Sequence, residues 1–189
     1  MSKIIVFTNL TLDGVMQAPG APDEDRRGGF EHGGWAAPYN AMAQPESLPR
    51  IGALLLGRRT YENFYAVWPK RTDNPFSALL DNMQKYVVST TLSEPLAWIN
   101  STLLKGDATE AVATLKQESD TDLVIMGSGE LVQSLMRANL IDEYVLLIHP
   151  LVLGSGRRLF ADGGTSATLR LIGAQPTTSG VVIATYQPA

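Results

Sequence analysis

Residues 122–160 read DLVIMGSGELVQSLMRANLIDEYVLLIHPLVLGSGRRLF. The unbroken apolar run from Leu123 to Met126, cut off by Gly127, is the pattern of a strand buried on both faces. Leu131, Leu135 and Met136 then recur at helical spacing, with Val132 and Leu140 near the same stripe, and Asn139 can supply a C-terminal stop. Tyr144 to Ile148 reads as a second buried strand. Strand, glycine turn, helix and strand in this order place bare backbone N–H groups and a positive helix end at the carboxyl edge of a sheet. Such an edge is suited to phosphate.

Outward from this unit, the 189 residues fit a single domain spanning residues 1–189, since two domains would each have a thin core. No apolar run approaches the roughly 18 residues of a membrane span. The opening Met-Ser-Lys-Ile-Ile-Val-Phe lacks the shape of a secretion signal and reads as a first strand, Ile4 to Thr8. The absence of cysteine excludes disulfides and thiolate metal sites and is compatible with a cytoplasmic location. Fifteen basic against nineteen acidic residues give a formal charge of −4 with no basic block, which argues against nucleic acid as a partner. His32 and His149 have no metal-ligand partners at useful spacing, so no metal is expected. His149, after an apolar strand, reads as a satisfied half-buried side chain.

From Gln17 to Pro49 proline and glycine forbid long elements, yet Phe30, Trp35 and Tyr39 argue for order. The expectation is an ordered loop over the edge of the sheet, with a helical turn near Tyr39 to Met42. Ala53 to Leu56 reads as a buried strand, followed by a short helix from Thr60 that Pro69 stops. Pro75 to Met83 reads as a helix with proline in its first turn, and Lys85 to Val88 as a third strand. One or two short strands are expected around Trp98, between Leu96 and Leu104. Asp107 caps a helix to about Gln117 with Ala111, Val112 and Leu115 buried. Thr168 to Gln175 and Val181 to Tyr186 form a closing antiparallel hairpin. The fold class is therefore α/β, a mostly parallel central sheet covered on both sides in three layers, with an antiparallel C-terminal hairpin.

Three strand ends carry residues suited to an anion: Gly57-Arg-Arg-Thr60, Ser89-Thr-Thr91 and Gly127-Ser-Gly129. Each alone has a plain reading, as a solvated arginine pair or a turn. Together they would bring two guanidinium forks and several hydroxyl and amide donors to one ligand. Asp13-Gly14 reads as a turn or as part of a substrate edge, and Trp35 and Tyr39 as loop anchors or a stacking platform. Leu153-Gly154 and the following Ser-Gly156 form either a turn or a wall of the substrate pocket.

The ordered set Thr11-Leu-Asp-Gly14, Leu55-Leu-Gly-Arg-Arg-Thr-Tyr-Glu62, Val88-Ser-Thr-Thr91, Val124-Ile-Met-Gly-Ser-Gly129 and Pro150-Leu-Val-Leu-Gly-Ser-Gly156 resembles the dihydrofolate reductase-like superfamily. It is most similar to the branch containing the reductase (RibD C-terminal) domain of bacterial riboflavin biosynthesis. The resemblance covers nearly the whole chain. It implies a sheet of about eight strands, NADPH as hydride donor and a homodimer formed through the last strands. It further implies that Gly57, Arg58, Arg59 and Thr60 meet the adenosine 2′-phosphate and pyrophosphate. Ser89, Thr90 and Thr91 would lie near the 2′-phosphate, and Met126, Gly127, Ser128, Gly129, Glu130 and Leu131 by the pyrophosphate and nicotinamide. Asp13, Gly14, Trp35, Tyr39, Leu153 and Gly154 would face the substrate.

Two departures shape the expected activity. Ser128 stands where the family commonly has a second glycine, at a peptide that is cis in dihydrofolate reductase. In the region matching that enzyme's substrate-protonating acid, Ala36 to Ser47, only Glu46 is acidic. The expected protein is an NADPH-dependent reductase acting on a C=N or C=O of a heterocyclic or ribosylamine substrate, not a folate reductase. The proton would come from Asp13, if its pKa is raised, or from ordered water. A nucleotide-binding protein without turnover is the alternative.

Overall fold

Apolar runs become strands in this chain, and segments of helical spacing become helices, with boundaries that long-range pairing adjusts. The computed structural model describes residues 2–39, 52–72 and 74–189. In chain order it contains strand β1 (Ile4–Thr11), β2 (Ala53–Gly57), helix α1 (Arg58–Val67), α2 (Pro75–Asn82), β3 (Gln84–Val88), β4 (Ser101–Leu104), α3 (Ala108–Glu118), β5 (Leu123–Met126), α4 (Gly129–Arg137), β6 (Glu143–His149), β7 (Leu169–Pro176) and β8 (Val182–Pro188). The strands follow the order β4-β3-β2-β5-β1-β6-β8-β7 in an eight-stranded sheet. It is mostly parallel and finishes antiparallel, with β8 opposed to both β6 and β7. A 3-10 turn spans Ala37–Tyr39 and reaches only the first residue of the helical turn expected over Tyr39 to Met42. Residues 40–42 of that expected turn, and Glu46, lie outside the described residues.

Two compact units result, Met1–Ile4 with Arg50–Leu140 and Ile5–Pro49 with Ile141–Ala189. In the first, Leu54, Leu55 and Leu56 of β2 and Leu123, Val124 and Ile125 of β5 are fully buried, as their unbroken apolar runs require. Helix starts follow local chemistry. Asn74 accepts a hydrogen bond from the Phe76 N–H ahead of Pro75, and Asp107 accepts from the N–H groups of Thr109 and Glu110. Of the expected buried face of α3 only Val112 is fully covered, Ala111 and Leu115 being half-buried. Asn139 at φ 53° closes α4.

Lys85 is fully buried in β3. Its ammonium donates to the carbonyls of Leu80 (2.7 Å), Met83 (2.7 Å) and Asp81 (3.3 Å) and sits 4.5 Å from the Trp98 ring centre. The cation thereby answers the carbonyls left over at the end of α2. Burial lowers its pKa to about 8, so it stays charged at neutral pH. Trp98, expected in a strand, is instead held by hydrogen bonds from its indole to Asp81 and from its backbone N–H to the Tyr61 hydroxyl. Only Ser101–Leu104 remains free to pair with β3.

In the second unit β1 runs past Thr8 to Thr11, because it pairs with β6 from Ile5↔Glu143 to Thr11↔His149. Backbone pairing outweighs the polar character of Asn9 and Thr11. The long loop makes its own small core from Val15, Ala18, Phe30 and Trp35, against which Ala36, Leu151 and Leu153 pack. Burying the two rings contributes about 2–3 kcal/mol each. Gln17 stitches the loop, donating to the carbonyls of Asp25 (3.2 Å) and Arg27 (2.9 Å) and accepting from the Arg157 N–H (2.9 Å).

Gly156 lies against this core at φ 118°, where an added Cβ would come within 2.7 Å of both Phe30 and Val15. Gly156→Ala is expected to lower unfolding free energy by about 2 kcal/mol through overpacking and backbone strain. Urea melts check this. An unchanged midpoint would mean that the Phe30 ring gives way.

Candidate functional site

Helices α1 and α4 of the first unit begin at the carboxyl ends of β2 and β5, which are neighbouring parallel strands. First-turn N–H groups have no acceptor within their own helix, so two positive helix ends lie beside each other. Ser128 ties them together. Its hydroxyl accepts from the Gly57 N–H (2.8 Å) and donates to the Thr60 hydroxyl (2.9 Å), which also accepts from the Ser128 N–H (3.1 Å). Gly127 at φ 70° and Ser128 at φ 55° form this turn with a trans peptide between them, unlike the cis bond of dihydrofolate reductase.

Arg58 and Arg59 occupy the first turn of α1, which carries no acid. Neither pairs with a carboxylate among the described residues. Two cations at a positive helix end repel it, and a bound anion would relieve that repulsion. Glu130, in the first turn of α4, weakens the field there. Met126 and Leu131 are buried, so only their backbone is available. The Ser89 hydroxyl is engaged by the N–H groups of Thr91 and Leu92, both 3.1 Å away, while Thr90 and Thr91 are exposed.

Asp13 of the second unit accepts from the Thr11 hydroxyl (2.5 Å) and the N–H groups of Leu153 (3.2 Å) and Gly154 (2.9 Å). Arg158 stands 3.6 Å from the same carboxylate and donates to the Asp13 carbonyl. The Thr11 hydrogen bond first, helped by the two backbone N–H groups, lowers the pKa of Asp13 to about 2. The condition on which Asp13 would serve as proton source, a raised pKa, is therefore not met, and ordered water is the source left of the two. Asp13 is an ionised clamp that holds the residue 151–158 turn, and Leu153 and Gly154 serve that clamp with their backbone. Gly14, at φ 78°, makes the turn beside it.

Of its two readings, Trp35 fits the loop anchor and not the substrate-facing platform. Its ring is 8% exposed and its indole donates to the Gln17 carbonyl (2.7 Å), so it anchors the loop and offers no open face for stacking. Tyr39 is half-buried, with its ring edge-on to His149 at 5.1 Å.

The profile of the RibD C-terminal domain family matches residues 2–183. The chain belongs to this family. It is 29% identical to the uncharacterized protein YyaP of Bacillus subtilis (strain 168), over 97% of this chain and 94% of that protein. Among solved structures it resembles a putative riboflavin biosynthesis protein from Shewanella sp. PV-4, with a TM-score of 0.70, 23% identity and 99% of both chains covered. It also resembles dihydrofolate reductase from Enterococcus faecalis complexed with NADP(H) and RAB-propyl, with a TM-score of 0.59, 15% identity, 98% of this chain and 96% of that one covered. These likenesses show the three-layer α/β fold that RibD C-terminal domains share with reductases. No helix among the described residues is long and apolar enough to cross a membrane.

The residue that the sequence concealed in this RibD C-terminal domain is His149. It is 1% exposed, fully buried where a half-buried side chain was expected, and one of its two ring nitrogens has no partner among the described residues. Its position at the end of an apolar strand was the only signal. Burial lowers its pKa from 6.5 to about 4. The unfolded chain therefore binds the proton as pH falls through 6.5 while the folded one resists until about 4, so stability is lost across that window. A loss on the order of 2 kcal/mol between pH 7 and 4 is expected. His149→Phe should flatten the curve there, and a curve identical to that of the parent would show that another group titrates.

Proposed function

We propose that the protein is an NADPH-dependent reductase that transfers hydride to a C=N or C=O carbon of a small heterocyclic or ribosylamine substrate, in the manner of a 5-amino-6-(5-phosphoribosylamino)uracil reductase. The observation that carries this reading is the pair of adjoining helix starts tied by Ser128, with Arg58 and Arg59 in a first turn that holds no acid and with no carboxylate partner among the described residues. Such a cradle fits a pyrophosphate and an additional phosphate. Bound NADPH would supply the hydride. Arg58, Arg59 and the first turns of α1 and α4 would hold its phosphates, with Thr60 and Ser128 keeping the two turns in register and Thr90 and Thr91 offering further donors.

The electron pair displaced from the C=N or C=O bond would come to rest on nitrogen or oxygen, which takes its proton from water, since Asp13 remains ionised. That same observation favours a second reading, a protein that binds NADP(H) without turnover. Calorimetric titration with NADPH and NADH, followed by a screen of pyrimidines, pteridines and ribosylamines for NADPH oxidation, separates the two. Failure to bind NADPH at all overturns both.

We further propose a cytoplasmic homodimer with two-fold symmetry. Strand β7 ends the strand order and leaves Leu171 and Ile172 52% and 50% exposed, an apolar edge suited to a second copy. Light scattering at micromolar concentration is expected to give twice the chain mass. Leu171→Lys with Ile172→Glu should give the single mass.

A further inference from the structure

The His149 imidazole is held from several sides and left open at one atom. Its Nε2 lies 2.9 Å from Asn9 Oδ1, so in this arrangement Nε2 carries the proton and Nδ1 keeps a bare lone pair. Nδ1 is buried and has no partner among the described residues. Trp35 and Tyr39 stand nearly perpendicular to the ring, each with its centre 5.1 Å away. A buried acceptor without a donor is costly, and such atoms in native proteins call for an explanation.

The two ring neighbours differ in how firmly they are fixed. Trp35 is buried in the loop core and anchored through its indole to Gln17. Tyr39 is half-buried, and its hydroxyl has no partner among the described residues. Its backbone N–H bonds to the Ala36 carbonyl 3.1 Å away, but its ring rests on His149 alone among the described aromatic contacts. Tyr39 is thus the less firmly anchored of the two walls, its side chain making no hydrogen bond among the described residues.

We infer that His149 is a ligand-recognising residue whose bare Nδ1 accepts a hydrogen bond from a ring N–H of a planar cyclic amide that enters when Tyr39 moves aside. The inference rests on the reductase reading and adds to it a residue, His149, that recognises the heterocycle, and its location in the second unit needs nothing from the cofactor. A site built to receive an N–H discriminates strongly, because a ligand without one leaves the buried acceptor unpaired. Asn9 is the positioning residue, since it determines which nitrogen is bare.

Two histidines make the test direct, because His32→Gln identifies the His149 resonances in a 15N-histidine-labelled sample. The probes are 2-pyridone, a cyclic amide with a ring N–H, and N-methyl-2-pyridone, which has the same ring without it. The free protein is expected to show an unprotonated Nδ1 and a protonated Nε2. 2-Pyridone should shift Nδ1 saturably, N-methyl-2-pyridone should not, and Tyr39→Ala should lower the required 2-pyridone concentration severalfold. Asn9→Leu should release the tautomer and shrink the difference between the probes, which a merely structural histidine would not show. The inference is overturned if Nδ1 is protonated in the free protein, or if both lactams act alike on the parent and on Tyr39→Ala. The readout involves no NADPH, so its failure leaves cofactor binding at Arg58 and Arg59 standing, and failure of cofactor binding leaves it standing in turn.

Discussion

NADPH binding is expected to weaken about a hundredfold when Arg58 and Arg59 are both replaced by alanine, with NADH binding changed only a few-fold. Each charge-assisted hydrogen bond to phosphate contributes about 1.5–3 kcal/mol, and two at the lower bound correspond to slightly more than a hundredfold. The parent protein should accordingly prefer NADPH by at least about tenfold, since NADH lacks the 2′-phosphate. Stability should move the other way. Both arginines lie in the first turn of α1 without an acid beside them, so their removal relieves repulsion at a positive helix end by about 0.3–1 kcal/mol. Calorimetry beside thermal melts reads both quantities on one sample. Equal affinity of the parent for the two nucleotides would remove the phosphate-clamp assignment, and a loss of binding that tracks a loss of melting temperature would assign the pair to structure.

Asp13→Ala is expected to cost about 3 kcal/mol of folding free energy, the sum expected for two backbone N–H groups left without their acceptor and the lost charge-assisted contacts. The carboxylate joins Thr11 to Leu153 and Gly154 across most of the sequence, so nothing local can replace it. Asp13→Asn keeps the shape but turns one acceptor into a donor facing a backbone N–H, and an intermediate loss is expected. The sign with pH follows from the lowered pKa. The contribution is complete above the ordinary 3.8 and disappears as pH falls through about 2, well below the window in which His149 acts. If Asp13 were instead the proton donor, Asp13→Asn would remove a limb of the pH profile of turnover while leaving the melt unchanged. Melts and pH profiles of the same variant decide between clamp and acid.

The contrast between Asp13 and Asp107 shows how far local reading reaches. Asp107 was legible as a helix cap because its partners, the N–H groups of Thr109 and Glu110, follow it within three residues. Thr11 stands two residues from Asp13, but its two backbone donors, Leu153 and Gly154, lie 140 and 141 positions away, and no pattern around Thr11-Leu-Asp-Gly14 announces them. Charge alone left Asp13 open to two opposite pKa shifts, and the hydrogen bonds it receives decided the direction. Trp35 followed the same course, since an aromatic residue in a loop fits either a platform or an anchor until its burial is known.

By itself, then, the sequence determined the alternation of buried strands and helices, the cap at Asp107, the helix start at Pro75, the stop at Asn139, and the polar turns at the carboxyl ends of β2, β3 and β5. These are short-range consequences of periodicity, side-chain hydrogen bonding and glycine freedom, readable within a few residues. Tertiary structure alone decided that Ser128 binds to Thr60 and Gly57, that Asp13 clamps a turn, and that His149 is buried with one nitrogen unpaired among the described residues. Each outcome depends on which distant backbone groups arrive beside a side chain, and a buried polar atom takes its charge and its partner from those neighbours.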